Sequence, residues 1–305
     1  MSRLLSTVLA ALCCCVTPAM AQDYESIGKG RLLTNDLIGD GHDRWRSGSY
    51  VVSRVYGKKD WQGARPQAFG DLLEMRIRGE IIQPAKLTSV DPDDRRYAAA
   101  WTLGLHSHFE AYGADVSLGG DLVLTGNNTG LPALQSIIHK GLGVDEASDS
   151  VLNAQIGDKL HVAASGELAQ PFRFGNRHLL RPFAEARAGE ETLVRVGVDY
   201  MFGTYGTQEL LLRDVSSGQL YLGTDSGESG TTFVLGADIA RVFESIYLPD
   251  EDAVELTDTR SRVRAGMHWQ QGNAGFFYGL TYLGKEFETQ EEEQLIGSLR
   301  INWEF

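Results

Sequence analysis

Apolar and polar residues alternate with period two along most of the chain, which predicts strands that show one face to an apolar phase. The last segment is the cleanest: Leu295, Gly297, Leu299, Ile301, Trp303 and Phe305 share one face, while Ser298, Arg300, Asn302 and Glu304 share the other. Val194, Val196, Val198, Tyr200 and Phe202 oppose Arg195, Gly197, Asp199 and Met201. Val263, Ala265, Met267 and Trp269 oppose Arg262, Arg264, Gly266 and His268, and Leu73, Met75, Ile77 and Ile81 oppose Glu74, Arg76, Arg78 and Glu80. Further strands are expected at 49–56, 100–111, 114–124, 158–168, 208–213, 218–224, 231–242 and 275–285.

The polar faces carry full charges. They would meet water outside a soluble sandwich, or line the lumen of a barrel whose apolar face meets lipid. Pattern alone leaves both open. The start of the chain favours the barrel. Arg3, an apolar run from Leu4 to Val16 and Ala19-Met20-Ala21 read as a secretory leader over 1–21, too short to span a bilayer. All three cysteines, Cys13, Cys14 and Cys15, fall inside it, so 22–305 carries no thiol for disulfides, zinc or nucleophilic catalysis. A chain ending on Phe305 after an alternating strand also resembles outer-membrane barrels. The expected fold is all-β: a closed antiparallel transmembrane barrel of about 12 strands forming one domain, located in the cell outer membrane. Gly57 to Gly70, Ser89 to Arg96, Gly126 to Ser150, Pro249 to Thr259 and Glu286 to Glu293 read as loops, the first three as extracellular ones. Trp61, Trp269, Trp303 and Tyr282 read as girdle aromatics.

Charge narrows the partners. Lys and Arg number 28 against 41 Asp and Glu, so no basic footprint exists for nucleic acid.

One segment breaks the alternation. Leu134, Ile137, Ile138 and Leu142 recur at helical spacing within Leu131 to Leu142, with Pro132 suiting the first turn and Gly141 and Gly143 the end. On such a helix Gln135 and His139 face the same way, and Asp145 and Glu146 follow. A His beside a carboxylate is a general-base arrangement; a solvated surface His is the alternative. His106 and His108 read as lumen residues, and His42 and His178 as loop residues.

Four blocks in order resemble the outer-membrane lipid A 3′-O-deacylases: Asn35-Asp36 with Asp43-Arg44-Trp45-Arg46-Ser47-Gly48; Gln83-Pro84 with Asp94-Arg95-Arg96-Tyr97-Ala98; Gln135-x-x-x-His139 before Gly143; and Asn153-Ala154-Gln155. The resemblance implies a Ca²⁺-dependent esterase that removes the 3′-acyloxyacyl chain of lipid A in lipopolysaccharide, working as a monomer among outer-membrane lipids. By position, His139 would activate water, Asp36 and Asn35 would hold the ion, and Gln135 and Asn35 would assist at the reacting group. Asp145, or equally Glu146, would be the acidic partner. Ca²⁺ takes oxygen ligands and polarises a carbonyl. Arg44, Ser47 and Arg95 would contact the head group, although the arginines serve equally well to neutralise lumen carboxylates. The family's Tyr-Thr-Asn-Gly is Arg46-Ser47-Gly48 here and its Thr-Pro is Gln83-Pro84, departures that bear on substrate preference. The rival readings are a porin-like channel or inactive family member, and a phospholipase, which would need a Ser beside a His.

Overall fold

In hydrocarbon no water is present to satisfy backbone N–H and C=O groups, so spanning strands must pair on both edges. The computed structural model meets that demand. It describes residues 24–303 except 59–60, 62–64, 208 and 225–227; the expected leader over 1–21 and Phe305 lie outside the described residues. Twelve strands form the wall: β1 (Tyr24–Asn35), β2 (Trp45–Lys58), β3 (Leu72–Gln83), β4 (Ala98–Ala111), β5 (Ala114–Thr125), β6 (Lys159–Ala169), β8 (His178–Ala188), β9 (Glu191–Gly203), β12 (Gly230–Ser245), β13 (Arg260–Gln271), β14 (Ala274–Leu283) and β15 (Gln294–Trp303). Neighbours pair antiparallel, and the ring closes where β1 meets β15, with Leu33 opposite Leu299. Of three further short strands, β7 (Phe172–Phe174) pairs with the start of β8, while β10 (Leu211–Arg213) and β11 (Leu220–Leu222) form a separate two-stranded sheet.

The alternation sorts side chains as expected. Val194, Val196, Val198, Val263, Ile301 and Trp303 face outward, while Arg264, Asp199, Asp238, Ser298 and Arg300 are buried inside. The inward charges pair: Asp199 takes Arg213 and Arg264, and Asp238 takes Arg262 and Arg264. Pairing matters because a lone buried ion costs several kcal/mol. His106 and His108 lie in this lining, against Asp121 (3.1 Å) and Glu74 (2.9 Å).

Several expectations are corrected. Segments 208–213 and 218–224 are not wall strands. They contribute β10 and β11, a hairpin inside the lumen with Leu212 paired to Tyr221. It carries apolar residues on both faces because both faces find cover. Leu210, Leu212 and Tyr221 pack on Leu32, Val51 and Phe277, while Leu211, Leu220 and Leu222 pack on Leu179, Met201 and Val234. Two wall strands, β1 and β8, replace them in the count. His178 is therefore the first residue of a strand, with Nδ1 2.6 Å from the Tyr200 hydroxyl. Because strands alternate in direction, the connection from β2 to β3 leaves the wall at the end where β1 starts and β15 finishes, opposite the other loops named above. Trp61, in that connection, packs against the lumen cluster rather than in a girdle.

Helix α1 (Leu131–Leu142) has the expected bounds and lies at the opposite end, which we call the mouth. A second short helix, α2 (Asp149–Asn153), follows, capped by Ser148. Gly130 (φ 74°) and Gly143 (φ 70°) flank α1 in left-handed conformations that favour glycine.

Candidate active site

The mouth brings together the β1–β2 loop and α1. Gln135 and His139, one turn apart, form the buried side of α1. Its apolar stripe is the exposed side, with Ile137 at 69% and Leu142 at 60%. That polarity is the reverse of a helix docked on a protein core. Trp101, outward on the wall, donates from its indole to the Thr129 carbonyl (3.0 Å) just before the helix, which ties the start of α1 to the outer face of the wall.

His139 is 4% exposed. Its Nδ1 lies 2.6 Å from the backbone carbonyl of Asp145, a contact that requires N–H at Nδ1 and leaves Nε2 for proton transfer. Nε2 lies 3.3 Å from Oδ2 of Asp43. The ring's carboxylate partner is therefore Asp43, a residue of the first motif block that carried no expected role. Asp145 serves through its main chain, and Glu146 turns away to accept from Ser136 (2.5 Å). The loop that carries Asp43 meets α1 only through tertiary structure, which spacing along the helix does not reveal.

Asp43 is itself held by Ser47, whose hydroxyl donates to Oδ1 (2.7 Å). Ser47 is thus buried behind the imidazole's partner rather than open to a head group. Gln135 has both amide ends engaged: Tyr97 donates to its carbonyl (2.8 Å), and its N–H donates to Gln83 (2.6 Å). The Gln83 amide nitrogen that remains is buried without a partner. Arg95 is fully buried on Glu286 (2.5 Å), out of reach of a substrate. Arg44 pairs with Asp40 (3.1 Å) and Glu292 (3.3 Å) and, of the three expected contacts, is the one on the groove. That groove, of about 740 Å³, is lined by Asp43, Arg44, Trp45, Lys86, Asp145 and Phe287, among others. Gln155, from the fourth motif block, bonds to its own helix at Leu152.

Asp36 is fully buried. Its Oδ2 accepts from the Arg44 N–H (2.8 Å), and Oδ1 has no hydrogen-bond partner. Burial pushes its carboxyl up to about 8; the Arg44 N–H works against this and Asp43 adds to it. In such a place the ionised carboxylate would be favoured by a bound cation. The donor set suits a hard ion such as Ca²⁺, which takes oxygen ligands. Among the described residues no three His, Cys, Asp or Glu converge as a ready ligand set, so main-chain oxygens, water or substrate would complete the shell. Asn35 folds the loop: its carbonyl accepts from Leu37 (2.9 Å) and its amide donates to Ser47 O (2.9 Å), leaving one lone pair for an ion.

Comparison with known proteins bears on the fold and the family. The structure is similar to LpxR from Salmonella typhimurium (TM-score 0.75, 17% identity, covering 91% of this chain and 100% of that one), a likeness of fold. It is also similar to the β domain of the Bordetella autotransporter BrkA (TM-score 0.45, 11% identity, covering 92% and 100%). No curated protein matches. A family model described as outer membrane protein LpxR matches residues 7–305. The chain is an outer-membrane β-barrel and belongs to the LpxR family.

Proposed function

We propose that the barrel is a lipid A deacylase: it hydrolyses the 3′-acyloxyacyl ester of lipopolysaccharide in the outer leaflet, working as a monomer. One observation carries this reading. A histidine with Nδ1 anchored on a carbonyl and Nε2 against a carboxylate is buried on a helix whose apolar face is exposed and whose start is tied to the outer wall. A base so held, beside an exposed apolar helix face, is what hydrolysis of an acyl ester drawn from the leaflet would need.

The chemistry follows from the ring's fixed tautomer. Nε2 takes a proton from water as its oxygen attacks the ester carbonyl, and the Asp43 carboxylate stabilises the imidazolium so formed. On collapse of the tetrahedral intermediate the same proton passes to the leaving alkoxide, releasing alcohol and fatty acid. Asp36, with its unpartnered Oδ1, and a main-chain or Asn35 oxygen would hold Ca²⁺. When bound, the ion supplies positive charge to the ester carbonyl oxygen. The groove beside Asp43 has an aromatic and charged lining suited to a sugar head group.

The channel reading finds no support, because the β10–β11 hairpin occupies the lumen. An inactive member is separated by experiment. The chain is expressed in an outer-membrane host, and lipid A mass spectra are taken with Ca²⁺ or chelator. Loss of one acyloxyacyl group is expected with Ca²⁺, and not with His139→Ala. Unaltered lipid A from abundant folded barrel would refute the assignment.

A further inference from the structure

Segment 44–47 carries the site. The Arg44 N–H binds Asp36 (2.8 Å), the Ser47 hydroxyl binds Asp43, and the Ser47 carbonyl accepts from Asp36 N (3.1 Å) and Asn35 (2.9 Å). The same segment is irregular. Trp45 is buried at φ 48°, a left-handed value costly for a bulky residue, and pairing with β3 shifts register between Trp45 and Gly48. Such a bulge persists only when its surroundings hold it.

The hold comes from Arg46. Its guanidinium contacts three carboxylates: Glu286 (2.8 Å), Glu80 (3.2 Å) and Glu191 (3.2 Å). Its N–H donates to Gln294 (3.1 Å), whose own amide donates to the Arg44 carbonyl (2.6 Å). Glu80 is in turn gripped from below. Ser216, at the tip of the lumen hairpin, donates to it at 2.6 Å, and Arg262 pins that tip through the Val215 carbonyl (2.8 Å). The hairpin turn is tight, with Asp214 capping the Ser217 N–H (2.8 Å) and hydroxyl (2.6 Å).

We propose that Arg46 is the positioning residue of the site and that the hairpin tip, through Ser216 and Glu80, is its floor. In this arrangement the lumen filling does more than occlude. It fixes the strained bulge from which Asp36 and Asp43 hang, so a contact far from the lipid sets the geometry at His139. The role in turnover rests on the deacylase reading; the mechanical coupling does not.

The test uses the full barrel with Ser216→Ala, Ser216→Thr and Arg46→Met, each verified as folded by heat-modifiable gel mobility. Amide exchange is followed across residues 36–47, with the 170–177 turn at the other end of the barrel as internal control, and kcat and KM are measured on lipid A. Ser216→Ala is expected to speed exchange in 36–47 by about five- to tenfold and to lower kcat by a similar factor at unchanged KM, consistent with losing one buried hydrogen bond. Ser216→Thr restores both. Arg46→Met, if it folds, shows the larger effect of the same kind. Unchanged exchange in 36–47 for Ser216→Ala overturns the proposal, as does faster exchange with wild-type kcat. Should the wild type cleave no lipid A, the deacylase reading fails, while the exchange data still decide whether the hairpin holds the segment.

Discussion

The buried carboxyl of Asp36 gives a quantitative test of the metal site in metal-free protein. Its folded-state value of about 8, against 3.8 in an unperturbed chain, means that folding takes up a proton between those limits. The contribution of this group to stability is therefore greatest below pH 4, falls as pH rises through that window, and levels off above 8. At about 1.4 kcal/mol per unit, the carboxyl costs on the order of 4 kcal/mol at pH 7. No solvent discount applies, since the residue is fully buried. Asp36→Asn keeps the shape and removes the titration. The assay is urea unfolding in detergent micelles with chelator, followed by gel mobility. The variant's advantage over wild type is expected to widen by roughly 3 to 4 kcal/mol from pH 5 to pH 8. Adding Ca²⁺ at about a hundred times its Kd should then return some 2.7 kcal/mol to wild type and nothing to the variant. An advantage that stays flat with pH would mean the carboxylate has a counter-charge, and the argument for a cation would fall with it.

Asp145→Ala should keep kcat within about threefold, because the contact is a main-chain carbonyl, whereas Asp43→Asn should lower it by about 100-fold by leaving the imidazolium unpaired; comparing the two by lipid A mass spectrometry identifies the ring's partner. Replacing Leu211–Leu222 with a short Gly-Ser link should open an ion-conducting pore in planar bilayers that the intact barrel lacks, and steady conductance by the intact barrel would contradict the packing of the hairpin against both walls. Ile137→Asp should reduce cleavage of vesicle-embedded lipid by about tenfold or more, the equivalent of losing one buried apolar side chain, yet spare a dispersed short-chain ester. Equal losses on both substrates would argue that the exposed stripe does not meet lipid.

The wall was readable wherever outward residues are large and apolar and inward ones charged, as along β9, β13 and β15. It was unreadable where packing inverts that contrast. On β1 the inward positions include Gly28 and Gly30, since a side chain at either would strike the hairpin, at Gly223 and Tyr221. The outward positions include Lys29 and Arg31. β8 fails for a related reason: Pro182, Ala184 and Ala186 make a weak outward face opposite Arg181 and Phe183. The hairpin deceives in the opposite sense, because two short apolar runs look like wall strands until the lumen that covers both their faces is known.

The site divides along the same line. Helical periodicity puts Gln135 and His139 on one face whatever the surroundings, so their pairing is a local fact. Which acid meets the imidazole is not local. Asp145 is six residues away and Asp43 is ninety-six, yet closing the ring of strands brings the β1–β2 loop over α1 and leaves Asp145 only its carbonyl to offer. The distant arrangement also explains why Arg46 carries three carboxylates: the loop must be held against a helix that belongs to another hairpin, on a bulge that strains Trp45. A buried charge network able to enforce that geometry is written across β2, β3, β9 and the β14–β15 loop, and no single stretch of sequence contains it.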